Sequence, residues 1–358
     1  MIKKNMSNSD LSTPQVSWWR SPGFTFALLG SVLILLFFAD IISGSVKISP
    51  SEIFRILSDK SESAYSTIIY NFRIPRAITA VVAGIALSVS GLQMQTVFRN
   101  PLAGPYVLGI SAGASLGVAL LILGFSSIFA VSNIFITGNW AIVIAAWTGS
   151  ALVLILIMFV SSRVRDIMTV LILGIMFGSA ISAIVSILQY FSNESMLKAF
   201  VIWTMGSLGN LSWIQLQVLI ISVLTGLFIS ILTVKNMNAL LLGEEYAATV
   251  GLNIKRSRLL IFLSTSILAG SVTAFCGPIA FIGIAVPHIT RIVFRRSSHN
   301  ILLPGSVLIG SIVLLTADIV SQLPGSERVL PINSVTALIG IPVMIWIIIR
   351  KNRLVSVS

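Results

Sequence analysis

Seven stretches of this chain contain no Asp, Glu, Lys or Arg at all: residues 77–98, 100–162, 167–193, 199–234, 259–290, 297–317 and 329–349. A helix needs about 20 consecutive apolar residues to cross the hydrocarbon core of a bilayer, so each window has room for one or two crossings. Of the 358 residues 56% are apolar and 9% charged, which leaves too little polar surface to clothe a water-soluble domain. The chain reads as an all-α polytopic membrane protein.

About ten transmembrane helices fit the windows, over 24–43, 77–97, 105–123, 140–161, 168–191, 213–234, 258–275, 279–295, 301–321 and 333–350. Lys3, Lys4 and Arg20 precede the first apolar run as they would in a signal peptide. No small-residue cleavage site follows cleanly and spans continue to the end, so the run reads as a retained span. Residues 1–20, rich in polar residues, read as a disordered tail, 21–350 as a single transmembrane domain and 351–358 as a second tail.

A net charge of +12 would suggest nucleic acid as the partner of a soluble protein. Here the basic residues cluster on alternate loops, as the positive-inside rule requires, so the expected partner is membrane lipid and not nucleic acid. An even number of spans places both basic ends, with Lys3, Lys4 and Arg20 at one and Arg350, Lys351 and Arg353 at the other, in the cytoplasm. The single cysteine, Cys276, lies in an apolar window and reads as a small buried residue, with no disulfide partner and no metal site.

Gly and Pro interrupt two windows, at PLAGP (101–105) and CGPIAFIG (276–283). Backbone broken at membrane depth must be buried in protein or line a cavity, since lipid cannot satisfy the freed N–H and C=O groups. Gly113 with Gly117, and Gly174 with Gly178, lie one helical turn apart and suit close helix contact. The longest polar stretch, about 235–257, holds Gly243-Glu244-Glu245-Tyr246-Ala247-Ala248-Thr249-Val250-Gly251, helix formers bracketed by glycines. A short docking helix and an ordinary solvated loop both fit it.

Several dispersed motifs occur in one order: RIPR at 73–76, GLQMQ at 91–95, RNPLAGPYVLGISAGA at 99–114, GEEYAATVG at 243–251, GPIAFIGIAVPHITR at 277–291, LLPG at 302–305, TAD at 316–318 and LPINSVTALIGIP at 330–342. By these the chain resembles the FecCD family of ABC permeases, which includes the vitamin B12 and ferric siderophore importers. The resemblance implies the type II ABC importer permease fold, like that of the vitamin B12 permease, in a bacterial cytoplasmic membrane. It also implies two copies of an ABC ATPase subunit inside, a second permease (itself or a homologue) alongside, and an extracytoplasmic substrate-binding protein.

An importer driven by ATP needs a nucleotide-binding loop, and the chain has no GxxxxGK[ST]; hydrolysis belongs to the separate ATPase, and the chain is no enzyme. The resemblance assigns Gly243, Glu244, Glu245, Ala247 and Gly251 to the helix that couples to the ATPase. Arg73 and Arg76 flank Pro75 before the second span; such arginines are interfacial anchors or, as the resemblance implies, bidentate receptors for carboxylates of the binding protein. Similar permeases carry a basic residue just after Asp318, where this chain has Gln322; Arg328 is the nearby substitute. The resemblance places the pathway along the fifth span, with Ile167, Met168 and Thr169 at the inner gate.

Asp318 reads as structural or docking, since no carboxylates continue inward from it, His288 beside Pro287 as a packing element, and His299 as solvated. An ion-coupled secondary transporter would need carboxylates near the midplane, and none is convincingly placed; a membrane enzyme would need a catalytic spacing that Cys276, His288 and Asp318 lack. No cofactor is implied. Ferric siderophore is the expected cargo within the family, with haem and cobalamin as alternatives.

Overall fold

The computed structural model describes residues 21–59, 64–125, 139–164, 166–323 and 329–355, and among these every regular element is helical. The N-terminal tail and Arg328 lie outside the described residues. Helix α1 (Pro22–Ile42) starts where Ser21 Oγ accepts from the Phe24 N–H, with proline in the first position. After α2 (Pro50–Asp59), a helical turn (Ala64–Ile68) and a π-turn (Ile69–Arg73) lead into α3 (Ile74–Val97). A 3-10 turn (Pro105–Leu108) precedes α4 (Ile110–Ala119). Then come α5 (Asn139–Arg163), α6 (Ile167–Tyr190) and α7 (Glu194–Thr204). Helices α8 (Trp213–Leu232), α9 (Val234–Leu241) and α10 (Glu244–Thr249) follow. The chain ends with α11 (Ile254–Cys276), α12 (Ile282–Phe294), α13 (His299–Ser321) and α14 (Ile332–Val355).

A helix stands in each of the ten windows expected for a span. Seven are long and apolar enough to cross a bilayer, and shorter apolar helices, Ile110–Gly124, Ile282–Phe294 and Ile332–Trp346, fill the other three. The extra helices α2, α7 and α9 are short and were not expected as separate elements. Helix α14 continues to Val355, through the boundary expected at residue 350.

The broken backbone before α12 is where the sequence places it. With 13 residues at about 1.5 Å each, α12 is too short for a hydrocarbon core of about 30 Å. The segment before it bends at Gly277 (φ 74°) and Phe281 (φ 68°). Its polar groups are met by protein. Tyr106 Oη donates to the Ile279 carbonyl (2.9 Å) and accepts from the Ile279 N–H (3.3 Å), and Asn333 Oδ1 accepts from Ala280 (3.0 Å).

Helices α3 and α11 form the centre, each with 78% of its apolar window buried, whereas α1 (11%) and α6 (17%) are peripheral. Polar side chains fasten the centre. Gln93 on α3 donates to Ser230 on α8 and Ser264 on α11, both at 3.0 Å, and accepts from Thr265 at 2.8 Å. The glycine pair at 113 and 117 brings α4 onto α5: a Cβ on Gly117 would lie 2.0 Å from the Ala145 carbonyl oxygen. Gly174 likewise lets α6 approach the Val107 carbonyl, where a Cβ would lie at 2.6 Å.

Candidate functional site

At one end of the bundle, α9 turns at Gly243 (φ 111°) into α10, which stops at Gly251 (φ 88°). Only glycine enters that half of conformational space cheaply. The Leu252 N–H reaches back to the Ala247 carbonyl (2.9 Å), closing the helix as a glycine-capped C-terminus does. Ala247 is fully buried in a cluster with Phe98, Ile167, Met237, Leu240, Ile261 and Phe262. Glu244 is clasped by Arg258 of α11: Nη2 lies 2.5 Å from Oε2 and 2.6 Å from Oε1, and Nε 3.1 Å from Oε1. Glu245, Tyr246 and Val250 face outward and, with Leu241 and Leu242, make an exposed, largely apolar patch. A rigidly rooted helix with an uncovered apolar face is suited to docking a partner.

Nearby, His299 is fully buried, which overturns its expected solvated position. Nε2 lies 2.8 Å from Thr96 Oγ1 at the end of α3, and Nδ1 2.9 Å from Asn238 Oδ1 on α9. The ring thus ties the segment before α10 to α3 and α13. The adjacent Arg295 and Arg296 gave the misleading signal. His288 is bonded through Nε2 to the Pro101 carbonyl (2.8 Å), the packing role expected of it.

At the opposite end the two arginines part company. Arg73 is 7% exposed, and its guanidinium donates to the carbonyls of Ile41 (2.8 Å), Ile42 (3.0 Å) and Val46, fastening the end of α1 and the loop after it. Arg76 pairs side-on with Asp318 of α13: Nε to Oδ2 and Nη2 to Oδ1 are both 2.8 Å, and Nη2 also donates to Ser321 Oγ (3.1 Å). Its side chain keeps 17% exposure while Asp318 keeps none, so the buried carboxylate takes the Nε/Nη2 edge of the guanidinium and holds it at the partly exposed position. Gln322 Nε2 bridges Asp318 Oδ2 (3.2 Å) and Asp40 Oδ1 (2.9 Å). A neutral amide therefore links the two buried carboxylates.

Between the two ends, α6, the 3-10 turn and the start of α4 border a cleft of about 720 Å³ that opens on the surface of the chain. Ser179, Ser182 and Ser186 of α6 face Ser111 and Ser115 of α4 across it, with Tyr106, Gln189 and Thr204 further along. Each α6 serine donates to a carbonyl one turn back (2.9–3.0 Å), which leaves its oxygen lone pairs for the cleft. The lining contains no Asp, Glu, Lys, Arg or His. The sequence signal for this wall is the helical spacing of serines inside charge-free windows, a pattern that helix packing alone also produces.

Ile167, Met168 and Thr169 form the first turn of α6 and do not line the cleft. Ile167 is buried in the same cluster as Ala247, Met168 is 40% exposed, and Thr169 Oγ1 donates to Asp166 Oδ2 (2.9 Å). Asp166 caps α6, accepting from the N–H groups of Met168 (3.2 Å) and Thr169 (3.0 Å). The Thr169 hydroxyl, those two N–H groups and the charge of Arg258 hold its carboxyl below the usual carboxylate range.

Known proteins resemble this chain in sequence, and a solved structure resembles it in fold. The hemin transport system permease HmuU of Yersinia pestis is 35% identical over 328 residues, spanning 91% of this chain and 96% of its own length. The vitamin B12 import system permease BtuC of Klebsiella pneumoniae is 35% identical over 331 residues, 92% and 93% of the two chains. A solved structure described as an inward-facing conformation of a metal-chelate type ABC transporter superposes with a TM-score of 0.80 at 27% identity, covering 92% of this chain and all of that one. Residues 32–350 match the model of the FecCD transport family. The chain belongs to the FecCD transport family and is a membrane-spanning permease of the ABC-importer kind.

Proposed function

We propose that this permease is half of the membrane conduit of a binding-protein-dependent importer that carries a ferric siderophore into the cytoplasm. The observation that carries the reading is the one-sided cleft: helix α6 has a wall of hydroxyls facing a cavity of about 720 Å³ and is little buried by its own chain. A second permease, another copy or a homologue, supplies the facing wall. That volume lies in the range of small-molecule sites, about 300–1,000 Å³. A lining of serine oxygens without ionised groups suits a hydrophilic chelate that must be passed on and not retained, and it favours a siderophore over the flatter, more apolar haem.

The patch around α10 receives one of two ATPase subunits, with Gly243, Glu244, Glu245, Ala247 and Gly251 shaping the contact. This end is cytoplasmic, as are both termini, in keeping with the basic loops. At the outer end the binding protein docks a carboxylate on Arg76 through Nη1, the nitrogen that the bonds to Asp318 and Ser321 do not use; Arg73, turned inward onto three carbonyls, shapes the surface beside it.

The test is uptake in a deletion strain. Loss of radioactive iron accumulation from ferric siderophores, restored by the gene, is the expected result. Unchanged iron uptake with loss of haem or cobalamin uptake would overturn the cargo assignment.

A further inference from the structure

The exposed patch at the docking end stands on two separate mountings. Tyr246 and Val250 belong to α10 and the turn after it, which the Glu244–Arg258 clasp roots on α11; Leu241 and Leu242 close α9. One helical turn before them, Asn238 meets the buried His299, the first residue of α13. Asn238 Oδ1 accepts twice, from the His299 backbone N–H at 2.8 Å and from ring Nδ1 at 2.9 Å. The backbone bond fixes which way the amide points, and an amide oxygen only accepts, so Nδ1 carries a proton. Ser298 at the N-cap of α13 makes no side-chain capping bond, and Asn238 supplies an oxygen there from α9. On the far edge of the ring, Nε2 lies 2.8 Å from Thr96 Oγ1 of α3. Helix α9 also packs directly on α3 and α13: Met237 and Leu240 share a buried cluster with Val97 and Phe98 at the end of α3 and with Leu302 and Leu303 of α13.

We infer that His299 is the positioning residue for the α9 half of the ATPase-docking patch: its two N–H groups hold Asn238 and so set where Leu241 and Leu242 stand relative to α10. The inference rests on the importer reading above. Burial of Met237 and Leu240 keeps α9 against the bundle, but apolar contact is non-directional and leaves rotation about the helix axis loosely fixed. Asn236 adds one bond, to the rotatable hydroxyl of Ser257 on α11 (3.1 Å). The paired bonds from His299 have a direction, set by a ring that is itself buried and held on its other edge. Leu242 and Gly243, the latter at φ 111°, form the whole joint between α9 and α10, so the α9 half turns on that joint once the tie is cut.

Binding of the purified ATPase subunit to the detergent-solubilised permease reads this out, whatever the cargo. A surface that holds its competent pose for only a fraction of the time binds more weakly by that fraction. His299→Gln carries its amide nitrogen to the Nε2 end, which keeps the contact with Thr96 and loses Asn238. Its Kd for the ATPase is expected to rise about fivefold or more, the scale of an ordinary coupling between sites. His299→Asn carries an amide nitrogen to the place of Nδ1, facing Asn238, and is expected to recover most of the affinity. Asn238→Ala, at a half-buried position, is expected to match His299→Gln.

Alanine suits a helix interior, so Asn238→Ala decides the matter if His299→Gln does not fold. Parental affinity in Asn238→Ala, or in a folded His299→Gln permease, overturns the inference and leaves the importer reading standing. Equal losses in His299→Asn and His299→Gln overturn it too, since the ring would then only fill space. A parent permease that does not bind the ATPase would refute the importer reading and the inference with it.

Discussion

Uptake is expected to fall to background in Gly251→Pro while the protein still reaches the membrane in normal amount. Gly251 closes α10 at φ 88°, and proline is locked near −65°, so the turn cannot form. Its N–H, bonded to the Ala248 carbonyl at 3.0 Å, is lost as well. Nothing lies within 4 Å of where a side chain would start, so the damage stays local: the docking surface is re-aimed and the bundle is untouched. Gly251→Ala, which strains the backbone by only about 1–2 kcal/mol, should retain measurable transport. Radioactive chelate uptake set against permease abundance in isolated membranes checks both, and normal uptake by the proline variant would remove α10 from the coupling path.

Gly91→Val should leave no folded permease at all. A Cβ at Gly91 would stand 1.7 Å from the carbonyl oxygen of Gly283, where a carbon needs about 3.5 Å. The obstacle is backbone at the start of α12, so no side chain can rotate away. Helices α3 and α12 would have to separate, and with them the broken segment that Tyr106 and Asn333 hold in place. The cost exceeds the roughly 1–3 kcal/mol of ordinary overpacking because one of the two central, most buried helices would have to move. Gly23→Ala is the matched control, with nothing within 4 Å of its Cα substituent. Size-exclusion profiles of detergent-extracted protein should show a monodisperse peak for the control and none for Gly91→Val.

The spans were legible because charge is excluded from lipid: every expected window holds a helix, including the short α12 behind its Gly-Pro break. Elements outside the lipid follow weaker rules. The amphipathic α2, α7 and α9 are too short and too mixed in composition to stand out from loops. At the site, the glycines at 243 and 251 announced a bracketed helix, and its bounds came out within a residue or two. Side-chain direction was not legible. Arg73 and Arg76 are three residues apart in one motif, yet one turns onto carbonyls and the other onto Asp318, 242 positions away. The same limit hid His299 among basic neighbours and the clasp between Glu244 and Arg258, since long-range pairing leaves no periodic trace in sequence.

The central claim is that this chain is a conduit driven by nucleotide hydrolysed on another polypeptide. Purified permease in vesicles, with its binding protein, is assayed for entry of radioactive ferric siderophore with and without the ATPase subunit, under ATP and under an imposed ion gradient. The account predicts accumulation only when ATPase and ATP are both present; accumulation by the permease without ATPase, driven by the gradient, would contradict it.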